Sequence, residues 1–271
     1  MRARLAAVAL LTATAAAAAQ DAAPPIQDNS FLVEEAYNQE RGVVQHINTF
    51  QRFRDGGPWG YSFTQEWPAP DLRHQLSYTL AYLDTGSAES PRERGLGDLA
   101  VNYRYQLLGG EGERLWIAPR LSLLVPTGDE EQGLGAGAAG LQVNLPVSAE
   151  LAPGWSGHFN AGATFIPSAK NAAGAEADTA TYNLGASLIF AATPRFNFML
   201  EWIWSRSEIV VGQDSLDRDV KVFLSPGIRW AHNFRSGLQI VPGIAYPIEI
   251  RDHDAEEAVF LYLSFEHPFR D

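Results

Sequence analysis

The sequence predicts an all-β fold: a 12-stranded antiparallel transmembrane β-barrel with short turns at one end and longer loops at the other. Three observations carry that expectation. Beyond Gly42, apolar and polar residues alternate with a period of two, the pattern of strands with two unlike faces. Most of the alternating segments run 9–13 residues, longer than the mean of about 5–6 for strands of soluble proteins and close to the roughly 9–11 that a tilted bilayer-crossing strand needs. The connections between them alternate in length, as they do in barrels with brief periplasmic turns and larger external loops.

The chain opens with an expected secretory signal peptide over residues 1–19. Arg2 and Arg4 precede the apolar stretch 5–11, and an alanine tract ends near Ala19 with an Ala-x-Ala exit. Polar sequence (Gln20, Asp21, Asp28) follows at once. Residues 20–41 form a separate N-terminal segment. Within it Phe31, Leu32, Ala36 and Tyr37 could share one stripe of a short helix, opposite Glu34, Glu35 and Glu40. The expectation is that this segment either plugs the barrel mouth, with Glu34, Glu35 and Glu40 meeting arginines of the lumen, or lies beneath it as a periplasmic strap.

Residues 42–271 are the expected barrel. Its strands fall at roughly 43–53, 59–67, 74–83, 97–107, 114–126, 136–150, 155–166, 179–190, 196–205, 220–230, 236–247 and 258–269. The first has little contrast between faces: Gln45, Thr49 and Gln51 lie on one, His46, Asn48 and Arg52 on the other. It is kept because an even strand number puts both termini at one end. The second alternates cleanly, with Trp59, Tyr61, Phe63 and Trp67 against Gly60, Ser62, Thr64 and Glu66. The remaining strands repeat this contrast, as in Leu99, Val101, Tyr103 and Tyr105 against Ala100, Asn102 and Arg104.

Aromatic residues gather at the strand ends: Trp67, Tyr105, Trp155, Phe196, Trp230 and Phe265 at one end, Trp59, Tyr82, Phe165, Tyr182, Trp204 and Tyr246 at the other. Amphipathic rings favour the headgroup level of a membrane. From the second strand onward the charged residues fall on the face opposite the Leu, Val and Ile side chains, because a Lys or Arg facing lipid at mid-bilayer costs about 2–4 kcal/mol. Arg52, Glu66, Asp98, Arg104, Arg120, Glu201, Lys221, Arg229 and Glu266 are therefore expected to point inward. With Asn102, Asn144 and His158 they give the candidate lumen-lining set Arg52, Asn102, Arg104, Arg120, Asn144, His158, Glu201, Lys221 and Arg229. Near balance of sign leaves two readings open, a network of paired charges that holds the barrel and a path for solute.

Composition excludes several classes. The 271 residues carry 32 acidic and 20 basic side chains, a formal charge of −12, which disfavours nucleic acid as a partner. The absence of cysteine removes disulfides, thiolate metal sites and cysteine nucleophiles. A slightly negative mean hydropathy excludes a polytopic helical membrane protein but not a barrel. No enzyme is expected: His158 lies beside Asn160 with no serine at matching spacing, and His74 and Ser77 fall on opposite faces. The six histidines (His46, His74, His158, His232, His253 and His267) show no metal-ligand spacing, so neither a metal nor a cofactor is expected. The five long connections hold 17 acids and 6 bases, a net of −11. They read as a solvated external face, or as weak oxygen ligands for divalent cations.

Three stretches carry a family resemblance. They are Asn29-Ser-Phe-Leu-Val-Glu-Glu-Ala-Tyr-Asn-Gln-Glu40 with the following Gly42 to His46, Gly95-Leu-Gly-Asp-Leu-Ala-Val-Asn-Tyr-Arg-Tyr105, and Pro119-Arg-Leu-Ser-Leu-Leu-Val-Pro-Thr-Gly-Asp129. Together they resemble the family of outer-membrane transporters linked by name to the meta pathway of phenol degradation, distant relatives of barrels that admit fatty acids and aromatic hydrocarbons. The last strand, ending at Phe269, looks like the C-terminal signal by which the barrel-assembly machinery recognises its clients. Taken together, these readings give an expected monomer in outer-membrane lipid of a Gram-negative bacterium, with passive passage of small solutes; hydrophobic or aromatic ones are favoured by the resemblance alone. A structural or surface-interaction barrel with a closed lumen is the alternative.

Overall fold

The computed structural model describes residues 26, 28–54, 56–86, 92–110, 112–251 and 256–269. The expected signal peptide and its cleavage site lie outside the described residues. Twelve antiparallel strands form one sheet. They are β1 (Val43–Phe53), β2 (Trp59–Pro68), β3 (His74–Asp84), β4 (Arg94–Leu96 and Leu99–Tyr105), β5 (Leu115–Ile117 and Arg120–Val125) and β6 (Gly140–Ala152). There follow β7 (Trp155–Lys170), β8 (Glu176–Thr193), β9 (Phe196–Gly212), β10 (Ser215–Trp230, resuming at His232–Asn233), β11 (Gln239–Ala245 and Ile248–Glu249) and β12 (Ala258–Pro268). Each strand pairs with its sequence neighbour, and β12 pairs with β1 from Val43↔Pro268 to Phe53↔Ala258, which closes the barrel. Closure leaves no edge strand whose backbone groups a lipid could not satisfy.

Register decides the faces. Glu66↔Ser77, Asn102↔Ser122, Asn144↔Gly162 and Ser187↔Glu201 put polar residues on the inside of adjacent strands. Ser122, Ser148, Glu201, Ser225 and Ser264 are wholly buried there. The opposite face exposes Val101, Leu121, Leu141, Val143, Phe159, Leu200 and Leu261, with Tyr82, Phe165 and Tyr182 at the loop end and Trp155 and Trp230 at the end where β1 begins and β12 finishes. Such a continuous apolar belt is far larger than a soluble monomer exposes.

Two of the expected long loops are strand instead. Strands β7 and β8 run on to Lys170 and from Glu176, and β9 and β10 meet at a turn through Gln213 and Asp214, where Asp214 takes a positive φ of 51°. Alternation beyond residue 205 continues through Ser207 to Val210, so these hairpins project past the length a bilayer requires. The loop after β5 is organised by Asp98: its carboxylate accepts from the amides of Gly128 and Ala136 at 2.9 and 2.8 Å. A side chain at Gly135 would strike that carboxylate, its Cβ only 2.5 Å from Oδ1. Asp98 therefore ties a loop rather than lining the lumen.

Candidate functional site

Inside the barrel runs the chain that precedes β1. No helix forms in residues 28–40, contrary to the expected helical stripe; the backbone is bent and irregular. An irregular backbone away from water needs partners for its amides and carbonyls, and inward side chains of the wall supply them. Glu201 Oε1 accepts from the amides of Leu32 and Val33 (2.9 and 3.0 Å), Asn160 Oδ1 from Glu34 (2.8 Å) and Ser148 Oγ from Ala36 (2.8 Å). Gln106 and Gln75 accept from Asn38 and Gln39. In the other direction Arg229 donates to the carbonyls of Ile26, Asp28 and Asn29, Arg104 to those of Glu35 and Tyr37, and Gln106 to Ala36. These partners come from strands all round the wall, so the segment lies across the lumen.

Charge follows the same logic. Glu34 meets Arg104 at 3.0 Å and Arg120 at 2.9 Å, and accepts from Asn144 Nδ2 at 2.9 Å. Burial alone would raise its carboxyl; Arg120 and Arg104 outweigh burial and hold it below the ordinary value of 4.5. Glu35 pairs with Arg229 at 3.1 Å, both almost wholly buried. Asp28 accepts from Tyr262, Ser264 and Gln45. Glu40 departs from the expected role: it is exposed where the segment joins β1 and makes no ion pair among the described residues.

Apolar contacts anchor the segment on two sides. Phe31 packs against Phe260 and Tyr262, ring centroids 5.8 and 5.4 Å away. Its ring fills the space left by two wall glycines: a Cβ at Gly243 would lie 2.4 Å from it, and one at Gly227 2.7 Å. Here glycine is required for close approach rather than for turning. Tyr37 stands edge-on to Trp116, centroids 5.0 Å apart.

The structure gathers most of the sequence-derived lumen set around this segment. Asn102, Arg104, Asn144, His158, Glu201 and Arg229 are buried, and Arg120 bridges Glu34 to Asn102 and Gln142. Lys221 points inward but nearer the loops, paired with Glu256 at 2.7 Å. Arg52 is a correction. The register Gln45↔Glu66 and Thr49↔Ser62 puts odd-numbered β1 residues inside, so Arg52 lies on the outer face at the loop end, exposed. A second correction concerns serine: Ser148 Oγ lies 2.7 Å from His158 Nδ1, across the β6–β7 pair. Glu35 stands 3.8 Å from Nε2, beyond hydrogen-bonding reach, and Ser148 is fully buried while accepting from Ala36. This trio holds the segment rather than presenting a nucleophile. Gln75, Gln106, Asn160 and Ser148 fell outside the candidate set because uncharged inward residues look alike in the sequence, and Gln45 because it lies on the β1 face opposite Arg52.

Cavities flank the segment. On the loop side one of about 210 Å³ is lined by residues 29–34 with Ile47, Tyr262, three threonines (Thr49, Thr64 and Thr79) and the polar Glu66, Ser77, Asn102 and Arg120. On the terminal side one of about 640 Å³ is lined by residues 37–40 and by the turns around Arg73 and Gly110.

Residues 24–246 match the family described as "Putative MetA-pathway of phenol degradation". The chain belongs to that family. Among solved structures it is similar to an outer membrane channel from Pseudomonas putida F1, with a TM-score of 0.65 at 11% identity over 86% of this chain and 97% of that one. It is also similar to the NanC porin (TM-score 0.54, 8% identity, 82% of this chain and 98% of that one). The KdgM porin matches with a TM-score of 0.50 at 9% identity, over 83% and 99% of the two chains. At such identities the likeness is one of fold, that of outer-membrane barrels. A comparison with curated proteins found no match.

Proposed function

We propose that this barrel is an outer-membrane channel for small solutes, closed by residues 28–40 and opened when that segment leaves the lumen. The observation that carries the reading is the segment itself, which separates cavities on its two sides and is held by side chains rather than by strand pairing. Contacts of that kind break one side chain at a time and leave the closed wall intact. The apolar outer belt supports a site in lipid, and family membership with the porin fold supports transport. On this reading both termini face the periplasm, the signal peptide delivers the chain for export, and β12 presents it to the assembly machinery as a monomer.

Small hydrophobic or aromatic compounds are the proposed solute class. The family's description is what supports it. The closed-lumen structural barrel remains the second reading, favoured by the number of bonds that stitch the segment down. Conductance in planar bilayers, with liposome uptake of aromatic against aliphatic solutes, separates the two. The channel reading expects uptake by the full chain and higher conductance after deletion of residues 28–40. No uptake by the full chain, together with unchanged conductance in the deletion, would leave only the structural barrel.

A further inference from the structure

Along the sequence the histidines are scattered, but barrel closure brings two of them together. His46 lies in β1 and His267 in β12, and the pairing His46↔Phe265 with Val44↔His267 makes them diagonal neighbours on the outer face. Their Nε2 atoms stand 3.3 Å apart, with stacked rings 5.4 Å between centroids. Two imidazole nitrogens at about 2.0–2.1 Å from one tetrahedral ion are separated by about 3.3–3.4 Å. The pair already has that spacing.

Two further contacts prepare it. His267 Nδ1 is 3.2 Å from the carbonyl oxygen of Pro268, which can only accept, so a hydrogen bond there keeps the proton on Nδ1 and leaves Nε2 free to bind a metal. A bond of this kind orients metal-ligating histidines. Phe63 stacks on His46 at 5.9 Å and fixes the second ring. The pair lies at the terminal-end aromatic level, beside Phe265, where headgroup water reaches the wall and can fill the remaining coordination positions. No group of three His, Asp or Glu able to hold a metal occurs among the described residues. With imidazole as the sole protein ligand, the site suits Zn²⁺ or Ni²⁺ and not Mg²⁺ or Ca²⁺.

We propose that His46 and His267 form a two-histidine site for a divalent transition metal that clips the first strand to the last across the closing seam. Without metal, His267 Nε2 is placed to accept an N–H···N bond from His46 Nε2, 3.3 Å away.

Untagged, folded protein in detergent micelles tests this with Zn²⁺ and Ni²⁺ as probes, by calorimetric titration and by the temperature at which the folded band converts on a detergent gel. The expected result is one ion per barrel and a raised conversion temperature; at a hundred times Kd the folded-to-unfolded ratio rises about hundredfold. Mg²⁺ leaves it unchanged. His46→Gln and His267→Gln, each compared with its own metal-free state, lose the metal response. His74→Gln, whose ring bonds Tyr103 on the same outer face, keeps it. A wild-type protein that shows no Zn²⁺ response, or variants that respond as strongly as wild type, would overturn the proposal.

Discussion

Replacing Glu34 by glutamine removes one charge from the centre of the lumen and tests how the segment is held. Glu34 is 17% exposed, and its partners Arg104 and Arg120 are 3% and 19% exposed, so the ion pairs are largely screened from water. Removing one member of a buried pair costs about 3–5 kcal/mol when the remaining charge is stranded. The arginines are not wholly stranded here. Arg104 keeps the Glu35 carbonyl and Asn38, and Arg120 keeps Asn102, Ser122 and Gln142. The expected loss is therefore about 2–3 kcal/mol of docking, about 30- to 150-fold in the ratio of docked to undocked segment. Single-channel recording reads this as an increased open fraction, with Glu40→Gln as the exposed control. An unchanged open fraction in a Glu34→Gln barrel that still shows heat-modifiable migration would refute the claim that these ion pairs hold the segment.

Three other outcomes follow from the same geometry. Because the docked carboxyl of Glu34 is held below 4.5, its contribution is complete above that value and lost as pH falls through the docked one. The open fractions of wild type and Glu34→Gln, compared across that acid range, should accordingly converge. Gly243→Val fills the space of the Phe31 ring and should loosen docking by about 1.5–3 kcal/mol, the worth of burying a phenylalanine; normal segment protection in hydrogen exchange would count against it. Val143→Arg puts a charge on the exposed outer belt, at an expected cost of about 2–4 kcal/mol in lipid; a denaturant midpoint in vesicles equal to wild type would contradict the assignment of faces.

Much of the barrel was legible in the sequence because its two environments differ so sharply: alternation located all twelve strands, and the charges of β4 to β10 fell on the correct face. Legibility failed where that contrast is lost. In β1 both faces are polar, and the inward Ile47 is apolar because it packs beside Phe31 and Tyr262 rather than against water. Arg52 was therefore misassigned. The pairing of Ser148 with His158 follows from hairpin register, but the bulge between Glu150 and Ala152 shifts that register by one, so counting back from Pro153 and Gly154 misses it. Residues 28–40 read as a helix because their apolar spacing fits one. Their amides are instead satisfied by Glu201, Asn160 and Ser148, distant partners that no local pattern encodes. The acids of that segment and the arginines of the wall were each visible; which meets which depended on the path of the chain through the lumen.

If the barrel is the gated channel proposed above, this segment must leave the lumen for solute to pass. Ser30 Oγ lies 3.2 Å from Ser187 Oγ on β8, and the chain has no cysteine of its own. The double variant Ser30→Cys with Ser187→Cys can therefore lock the segment to the wall without competing thiols. In liposome uptake of a small aromatic solute, the oxidised variant should be silent and the reduced variant should match wild type. Equal uptake in the oxidised and reduced states, or none in either, would contradict gating by residues 28–40.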